Sequence, residues 1–484
     1  MTLAAPHPFS LVLFGASGHL AKLKIYPALY TLALKKRLPP TYAVVGYARS
    51  AMTDEAFRAL VVKSVHEGMM GAVNDVVLKE FLTHFHYQQG QYDQEKDFVA
   101  LRGTLETLEG EPSDPWVRLA YLSVPPTVYT AIFTNLCKGK IHEKGKPFRC
   151  IVEKPVGHDL KSFEEIRSHL TECFAEDEIF LLDHYLGKEA VRNVSYLRFA
   201  NPVLERLLKN TIIKSVEIVA DESRGIEGRA GYFENTGMLR DWVQSHLLMI
   251  ASLLTMRLSE TEDSLRANRL NALEQFYLPP AANIDDLILQ GQYTEGSVGG
   301  TEVPGYREEP DVAADSRTNT FVAVKLKTRI SRWEGVPFTL RAGKRLAKKE
   351  TRISIVFQEP RIVGKGATTN RLDIILLGEA GMRLHLQTRI SGTEPSYRPL
   401  VLADPLVCVG DCLPEHGILL LEAIHGRQNW FLSFDEARTA WRLVDPLQVH
   451  LDAAPNTLHN YASGSRGPSV MDTWMTKDGI AWME

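Results

Sequence analysis

The feature that most constrains this chain lies near its start. Residues 11–14 form an uninterrupted apolar run, Leu11-Val12-Leu13-Phe14, that leads straight into Gly15-Ala16-Ser17-Gly18-His19-Leu20-Ala21, and a helical pattern follows through Leu32. An apolar run without alternation is the pattern of a parallel strand buried on both faces. A strand that ends in close glycines and re-enters as a helix turns backbone N–H groups and the positive end of the helix toward a pyrophosphate. Two glycines three apart also occur in ordinary turns, so the spacing alone is a weak signal; at a strand-to-helix junction it reads as a dinucleotide turn. Residues 42–46 read as the second strand. Where an NAD enzyme presents an acidic side chain to the ribose hydroxyls, this chain has Arg49, whose guanidinium suits a 2′-phosphate. A solvated surface arginine is the plain alternative.

Further strand patterns at 120–124, before Pro125-Pro126, and at 149–152, before Glu153-Lys154-Pro155, keep alternating with helical segments. The doubly wound sheet is therefore expected to run to about residue 180. A chain of 484 residues, 44% hydrophobic, has room for more than this one unit.

Charge and cysteine usage exclude several classes of function. With 55 basic and 59 acidic residues the formal net charge is −4, so no global positive field exists to hold a nucleic acid or an anionic membrane. Anionic ligands must be met by local clusters. The five cysteines, Cys137, Cys150, Cys173, Cys408 and Cys412, are odd in number and scattered, a poor disulfide framework that suits a reducing compartment. Cys408 and Cys412 have no second ligand pair at finger spacing, so no metal is expected. Residues 1–10 carry no basic n-region, and the longest apolar stretch, 247–256, is about half of what spans a bilayer. A soluble, cytoplasmic protein is expected.

Two segments concentrate reactive side chains. Asp183-His184-Tyr185-Leu186-Gly187-Lys188-Glu189 puts four ionisable groups and a tyrosine after the apolar run 179–182. If it turns into a helix, His184 and Lys188 share one face at i, i+4 and can converge on a phosphate. Pairing of Lys188 with Glu189 on a solvated surface is an equal alternative. Farther on, Glu222, Asp241 and His246 lie near a glycine-broken stretch, 224–231, that should be irregular. Residues 241–256 read as an apolar helix in which His246 can equally be a satisfied core histidine. On an ideal α-helix Asp241 and His246 stand about 140° apart, so both reach one ligand only from its flanks.

Taken in order, Gly-Ala-Ser-Gly-x-Leu-Ala at 15–21, Gly-Tyr-Ala-Arg-Ser at 46–50, Val-Glu-Lys-Pro at 152–155, the 183–189 segment, Arg-Asp-x-x-Gln-x-His at 240–246 and Gly-Val-Pro-Phe-x-x-Arg-x-Gly-Lys at 335–344 resemble the glucose-6-phosphate dehydrogenases. The resemblance spans about residues 10–468, and the 183–189 segment is its most diagnostic part. It implies a cofactor site at Gly15, Ala16, Ser17, Gly18, Leu20, Arg49, Tyr129 and Lys154, with NADP as cofactor and NAD as a weaker alternative. It implies a substrate site with His184, Tyr185 and Lys188 on the phosphate, and Lys154, Glu222, Asp241, Lys344 and Lys349 around the sugar. His246 is implied as the base that takes the C1 hydroxyl proton, with Asp183 orienting its imidazole; histidine suits the task because it titrates near neutrality. The product would be 6-phosphoglucono-1,5-lactone, and no metal is needed.

The expected architecture is an α/β Rossmann-type doubly wound domain at 1–180, then a larger α+β domain at 181–484. Strand patterns at 212–220, 320–328, 352–357 and 372–377 should build its mainly antiparallel sheet. In the family that sheet carries the subunit interface, which implies a homodimer or homotetramer. The chain departs from the family pattern at His19, Ala230 and Arg466, where aspartate, glycine and tryptophan are usual, and it lacks a Gln-Pro pair near Leu377. Two other readings stand beside this one: a Rossmann-type oxidoreductase of a non-phosphorylated sugar or inositol, and a catalytically silent NADP-binding regulator.

Overall fold

Apolar runs that cannot be solvated on either side need helices on both faces, and the first six strands are covered in that way. They are β1 (Phe9–Phe14), β2 (Tyr42–Ala48), β3 (Phe85–Gln89), β4 (Val117–Leu122), β5 (Phe148–Glu153) and β6 (Ile179–Leu182). All pair in parallel, in the order β3-β2-β1-β4-β5-β6. This is the doubly wound order, whose direction reverses between β1 and β4 and so opens a crevice at the carboxyl ends of the strands. The computed structural model describes residues 7–479 except 70, 111–115, 144–145, 259–263, 282, 361–365, 391–395, 406–407, 409, 455–456 and 478.

The chain divides into two compact units. One comprises Met1–Glu189 with Val409–Phe434, and the other Ala190–Cys408 with Asp435–Glu484. The returning segment of the first unit forms the helix Glu415–Ile424, which packs on the helix Tyr26–Leu34. Arg149 on β5 donates to the carbonyl of Ala423 at 2.6 Å, and Leu181 on β6 bridges to Leu432. Against the expectation from their scatter, Cys137 and Cys173 are bonded sulfur to sulfur with Cα atoms 6.2 Å apart, and Cys408 and Cys412 are also in disulfide linkage. The helix Tyr129–Lys138 and the end of the helix Leu160–Thr171 bring the first pair together from 36 residues apart, a proximity that spacing in the sequence does not reveal. Cys150 keeps a buried free thiol.

The second unit is built on an eleven-stranded sheet of β7 (Ile213–Asp221), β8 (Phe276–Tyr277), β9 (Ile288–Val298), β10 (Thr301–Val303), β11 (Phe321–Thr328), β12 (Phe338–Gly343), β13 (Glu350–Phe357), β14 (Arg371–Leu377), β15 (Gly381–Arg389), β16 (Tyr397–Pro405) and β17 (Leu458–Ser463). Its main path runs β10-β9-β11-β12-β7-β13-β14-β15-β16. Only β7 with β12 and β9 with β17 pair in parallel; the rest are antiparallel, as expected for the α+β part. The helix Leu248–Thr255 is buried along its whole length and packs on the helix Leu265–Leu273. Arg269 and Glu436 form an ion pair with both side chains fully buried. Among the described residues no helix is long and apolar enough to cross a membrane.

Candidate active site

In the first unit the glycine turn leaves β1 at the carboxyl edge of the sheet, beside the reversal point. Gly15 has φ +78°, and a Cβ there would lie 2.3 Å from the carbonyl oxygen of Ser123. Only glycine fits that approach and that backbone conformation. The Gly15 N–H donates to Tyr47 O at 2.9 Å and Gly18 N–H to Gly15 O at 2.8 Å, closing the turn, while Tyr26 fixes it from below by donating to Ala16 O at 2.6 Å. Ser17, Gly18 and Leu20 are part-exposed along the turn. The helix behind it holds a π-helical stretch, Ala21–Ile25, before Tyr26–Leu34. Such a cradle, with small residues and no Cβ at its tightest point, fits a dinucleotide pyrophosphate.

Arg49 follows β2 directly, is exposed, and carries its guanidinium 5.8 Å from the Tyr92 ring centroid. Tyr129 is buried, and its hydroxyl donates to Glu153 O at 2.7 Å; it thereby holds the end of β5 from which Lys154 leaves. The Lys154–Pro155 peptide is cis. The β5–β6 register pairs Glu153 with Leu182, so Lys154 and Asp183 leave neighbouring strands at the same edge.

The segment after β6 is not the helix that the i, i+4 reading assumed. It is a chain of tight turns, with Leu186 N–H on Asp183 O at 3.0 Å, Gly187 N–H on His184 O at 3.2 Å and Lys188 N–H on Tyr185 O at 3.0 Å, and the helix Glu189–Ala200 begins only afterwards. The cause is Asp183, fully buried, whose Oδ1 accepts from Tyr185 N–H at 2.9 Å and so favours a turn over helix entry. The turns still cluster the three candidates. His184 and Tyr185 rings lie 5.2 Å apart, and Lys188 Nζ lies 4.7 Å from the Tyr185 ring centroid.

In the second unit, β7 and β12 end together, with Asp221 opposite Gly343. The next residues on each strand meet: Lys344 Nζ donates to Glu222 Oε2 at 2.5 Å, with Lys344 1% exposed. Tyr461 donates to Lys344 O at 2.7 Å and fixes its backbone. The 224–229 stretch is irregular, as its glycines require, before the short helix Ala230–Phe233. That helix supplies Tyr232, which the sequence did not single out; its hydroxyl donates to Asp241 Oδ1 at 3.0 Å. Burial first, then the Asp241 carboxylate, pushes the Tyr232 hydroxyl far above the usual phenol range, so it stays a donor. Lys349 is exposed just ahead of β13, whose first residue, Glu350, pairs with Asp221, the residue before Glu222.

Asp241 and His246 do not sit on an ideal α-helix. Leu239–Leu247 is π-helical, and in a helix bonded i to i+5 two residues five apart stack on one side, as i and i+4 do in an α-helix. The 140° separation therefore collapses, and both side chains face the same way. The stretch packs on β7 and β12, and His246 is 3% exposed, its ring edge-on to Trp242 at 5.3 Å. Acid, base and cationic groups thus gather at strand ends in each unit, which is chemistry suited to a polar, phosphorylated ligand and proton transfer.

Comparison with known proteins gives these features a context. Residues 12–193 match the family model for the NAD binding domain of glucose-6-phosphate dehydrogenase, and residues 195–483 match the model for its C-terminal domain. The chain is 35% identical to a glucose-6-phosphate 1-dehydrogenase of Chlamydia pneumoniae, with 98% of this chain and 96% of that protein covered. It is 36% identical to that of Schizosaccharomyces pombe, covering 98% and 94%. A solved structure of a glucose-6-phosphate dehydrogenase in complex with its substrate glucose-6-phosphate superposes with a TM-score of 0.88, 32% identity and full coverage of both chains.

Proposed function

The chain belongs to the glucose-6-phosphate dehydrogenase family, and on that premise we propose which of its residues carry the reaction and which coenzyme they select. The chain is an oxidoreductase that oxidises glucose 6-phosphate at C1 to 6-phosphoglucono-1,5-lactone, the first step of the oxidative pentose phosphate pathway. A nicotinamide dinucleotide, when bound, supplies the hydride acceptor. In our reading the turn Gly15–Gly18 with Leu20 holds its pyrophosphate, Arg49 meets a 2′-phosphate and so favours NADP over NAD, and Lys154, braced through Tyr129 and Glu153, faces the junction of sugar and coenzyme.

His184, Tyr185 and Lys188 hold the sugar phosphate, far from the reacting carbon, so that its charge positions the ring. Glu222 and Lys344, already paired, and Asp241, already held by Tyr232, accept and donate to the ring hydroxyls, with Lys349 at the margin. His246 takes the proton of the C1 hydroxyl, and Asp183 is its orienting carboxylate. The observation that carries this assignment is the π-helical stretch that turns Asp241 and His246 to one side. For assembly we propose a homodimer or homotetramer through the second unit's sheet; at its end β16 leaves Leu400, Val401 and Leu402 38%, 47% and 53% exposed, an apolar edge that single chains seldom keep. We place the reaction in the cytoplasm, since a sugar phosphate dianion does not cross a bilayer unaided.

The test is the appearance of reduced nicotinamide with glucose 6-phosphate or glucose, and with NADP or NAD, in four parallel reactions. Turnover confined to the phosphorylated sugar and faster with NADP is expected. Equal rates with the two coenzymes would remove the role given to Arg49, and equal rates with free glucose would remove the phosphate site.

A further inference from the structure

In the second unit, one residue bordering the Lys344–Glu222 pair has a backbone conformation that its side chain disfavours. Arg345 follows Lys344 and has φ +52°, in the left-handed region that residues with a side chain seldom enter. Such backbone persists where its surroundings over-determine it, and it concentrates at functional sites. Arg345 is held at both ends and by its side chain. Its N–H donates to Arg224 O at 3.1 Å, and its carbonyl accepts from Gly464 N–H at 2.7 Å. Its guanidinium meets Glu309 Oε1 at 3.1 Å, with the two side chains 14% and 7% exposed. The same carboxylate oxygen accepts from the Tyr293 hydroxyl at 2.9 Å. Burial first, then Glu309, pushes that hydroxyl well above the usual phenol range, so it stays a donor.

The turn at Arg345 also brackets Glu222. Glu222 N–H donates to Gly343 O at 2.8 Å, and Leu346 N–H, brought back by the reversal, donates to Glu222 O at 2.9 Å. The guanidinium and the Glu309 carboxylate lie against Gly225, where a Cβ would stand 2.5 Å from Glu309 Oε1 and 2.7 Å from Arg345 Nε. The ion pair therefore holds the chain that follows Lys344 and the chain that follows Glu222 at once.

Resting on the assignment of Glu222 and Lys344 to the sugar ring, we propose that Arg345 and Glu309 are positioning residues that set the discrimination among sugar phosphates differing at one ring hydroxyl. A donor and an acceptor fixed 2.5 Å from each other can satisfy a hydroxyl in one direction and leave that of an epimer unpaired. Such selectivity survives only if the pair keeps its place, and the lysine stem is flexible, so its ammonium depends on what fixes the backbone. Lys344 N–H donates to Thr320 O at 2.9 Å, and β7 and β12 stop pairing at Asp221 and Gly343, just before Glu222 and Lys344. Arg345 carries the connection past that point, through one backbone bond to Arg224 and one ion pair packed on Gly225. An ion pair largely shielded from water is a firm tie, because loss of either partner strands the other charge.

The experiment measures kcat/KM for glucose 6-phosphate and for its C2, C3 and C4 epimers, the 6-phosphates of mannose, allose and galactose. The variants are Arg345→Gly, Arg345→Lys, Glu309→Gln and the double variant Arg345→Gly with Glu309→Gln. Glycine adopts φ +52° freely, so Arg345→Gly removes the guanidinium and spares the turn. We expect it to lower the preference for glucose 6-phosphate over at least one epimer about tenfold, with KM for NADP within about twofold. The double variant should lose no more than Arg345→Gly alone, because the two side chains act as one unit. Arg345→Lys keeps a charge for Glu309 and should retain most of the preference. Glu309→Gln keeps an acceptor for Tyr293 and should fall between. A merely structural defect lowers kcat/KM for all four sugars alike; an unchanged preference in Arg345→Gly or Glu309→Gln, or losses that multiply in the double variant, would overturn the positioning role. Lys344→Ala and Glu222→Gln separate the two levels. If both keep the preference, the assignment of this pair to the ring fails; if they lose it while Arg345→Gly does not, only the role of Arg345 and Glu309 falls.

Discussion

His246 lies 3% exposed on a stretch of helix whose hydrogen bonding has slipped by one residue. Positioned bases contribute roughly 10²–10⁴-fold to turnover, so His246→Ala should lower kcat by about that factor while KM for glucose 6-phosphate changes little; steady-state kinetics checks it, and near wild-type turnover would remove His246 as the base. Arg49→Ala should lower kcat/KM for NADP roughly 10–100-fold, as expected for a charge-assisted hydrogen bond, and leave that for NAD nearly unchanged; the coenzyme ratio is the readout. Both residues were legible in the chain from motif and resemblance. Their surroundings were not. No propensity rule announces a π-helical stretch, because the slip answers packing on β7 and β12 rather than local composition, so an α-helical wheel misplaced Asp241 relative to His246. Tyr232 carries no motif at all, and only folding sets it beside Asp241.

The elements fall into those governed by local rules and those governed by partners. β1 and its glycine turn obey local sterics, and Gly15→Ala tests that. A Cβ 2.3 Å from Ser123 O at φ +78° should destabilise the protein by about 1–3 kcal/mol or more and weaken NADP binding, read as a lower melting temperature and a higher dissociation constant. The 183–188 turns looked helical because spacing alone does not record that Asp183 bonds the Tyr185 N–H. β15 and β16 escaped notice because an edge hairpin, half exposed, lacks the continuous apolar run of β1. The helices Glu189–Ala200 and Pro202–Leu207 are tied by Glu205, which pairs with Arg198 at 2.9 Å and with Arg332. Burial pushes the Glu205 carboxyl up, but Arg198 and Arg332 outweigh it and hold it below the ordinary value of about 4.3. A carboxylate with a lowered folded pKa adds stability above its unfolded pKa and loses it as pH falls through the folded one. Urea denaturation from pH 7 to about pH 3 should therefore show a steeper acid loss for the wild type than for Glu205→Gln, and parallel curves would refute the assignment.

Across the whole molecule, stability in the second unit leans on a charge pair sealed from water. Arg269 Nη2 reaches Glu436 Oε2 at 3.1 Å with both side chains at 0% exposure. Removing one partner strands the other charge, so Glu436→Ala should cost about 3–5 kcal/mol in chemical denaturation, whereas a paired exchange of both for apolar residues of similar volume should cost far less. The alternation of strands and helices in the first 180 residues made one half of the architecture readable, and nothing in the order of residues foretold that Val409–Phe434 would return to it. That return governs how the protein is made. A ribosome releases β1 to β6 early, but the helix Glu415–Ile424, which covers Tyr26–Leu34, is complete only about 235 residues after Glu189. At roughly 5–20 residues per second that is a wait of roughly 12–50 s, during which the nascent first unit carries a bare apolar face and depends on whatever chaperone attends the exit tunnel.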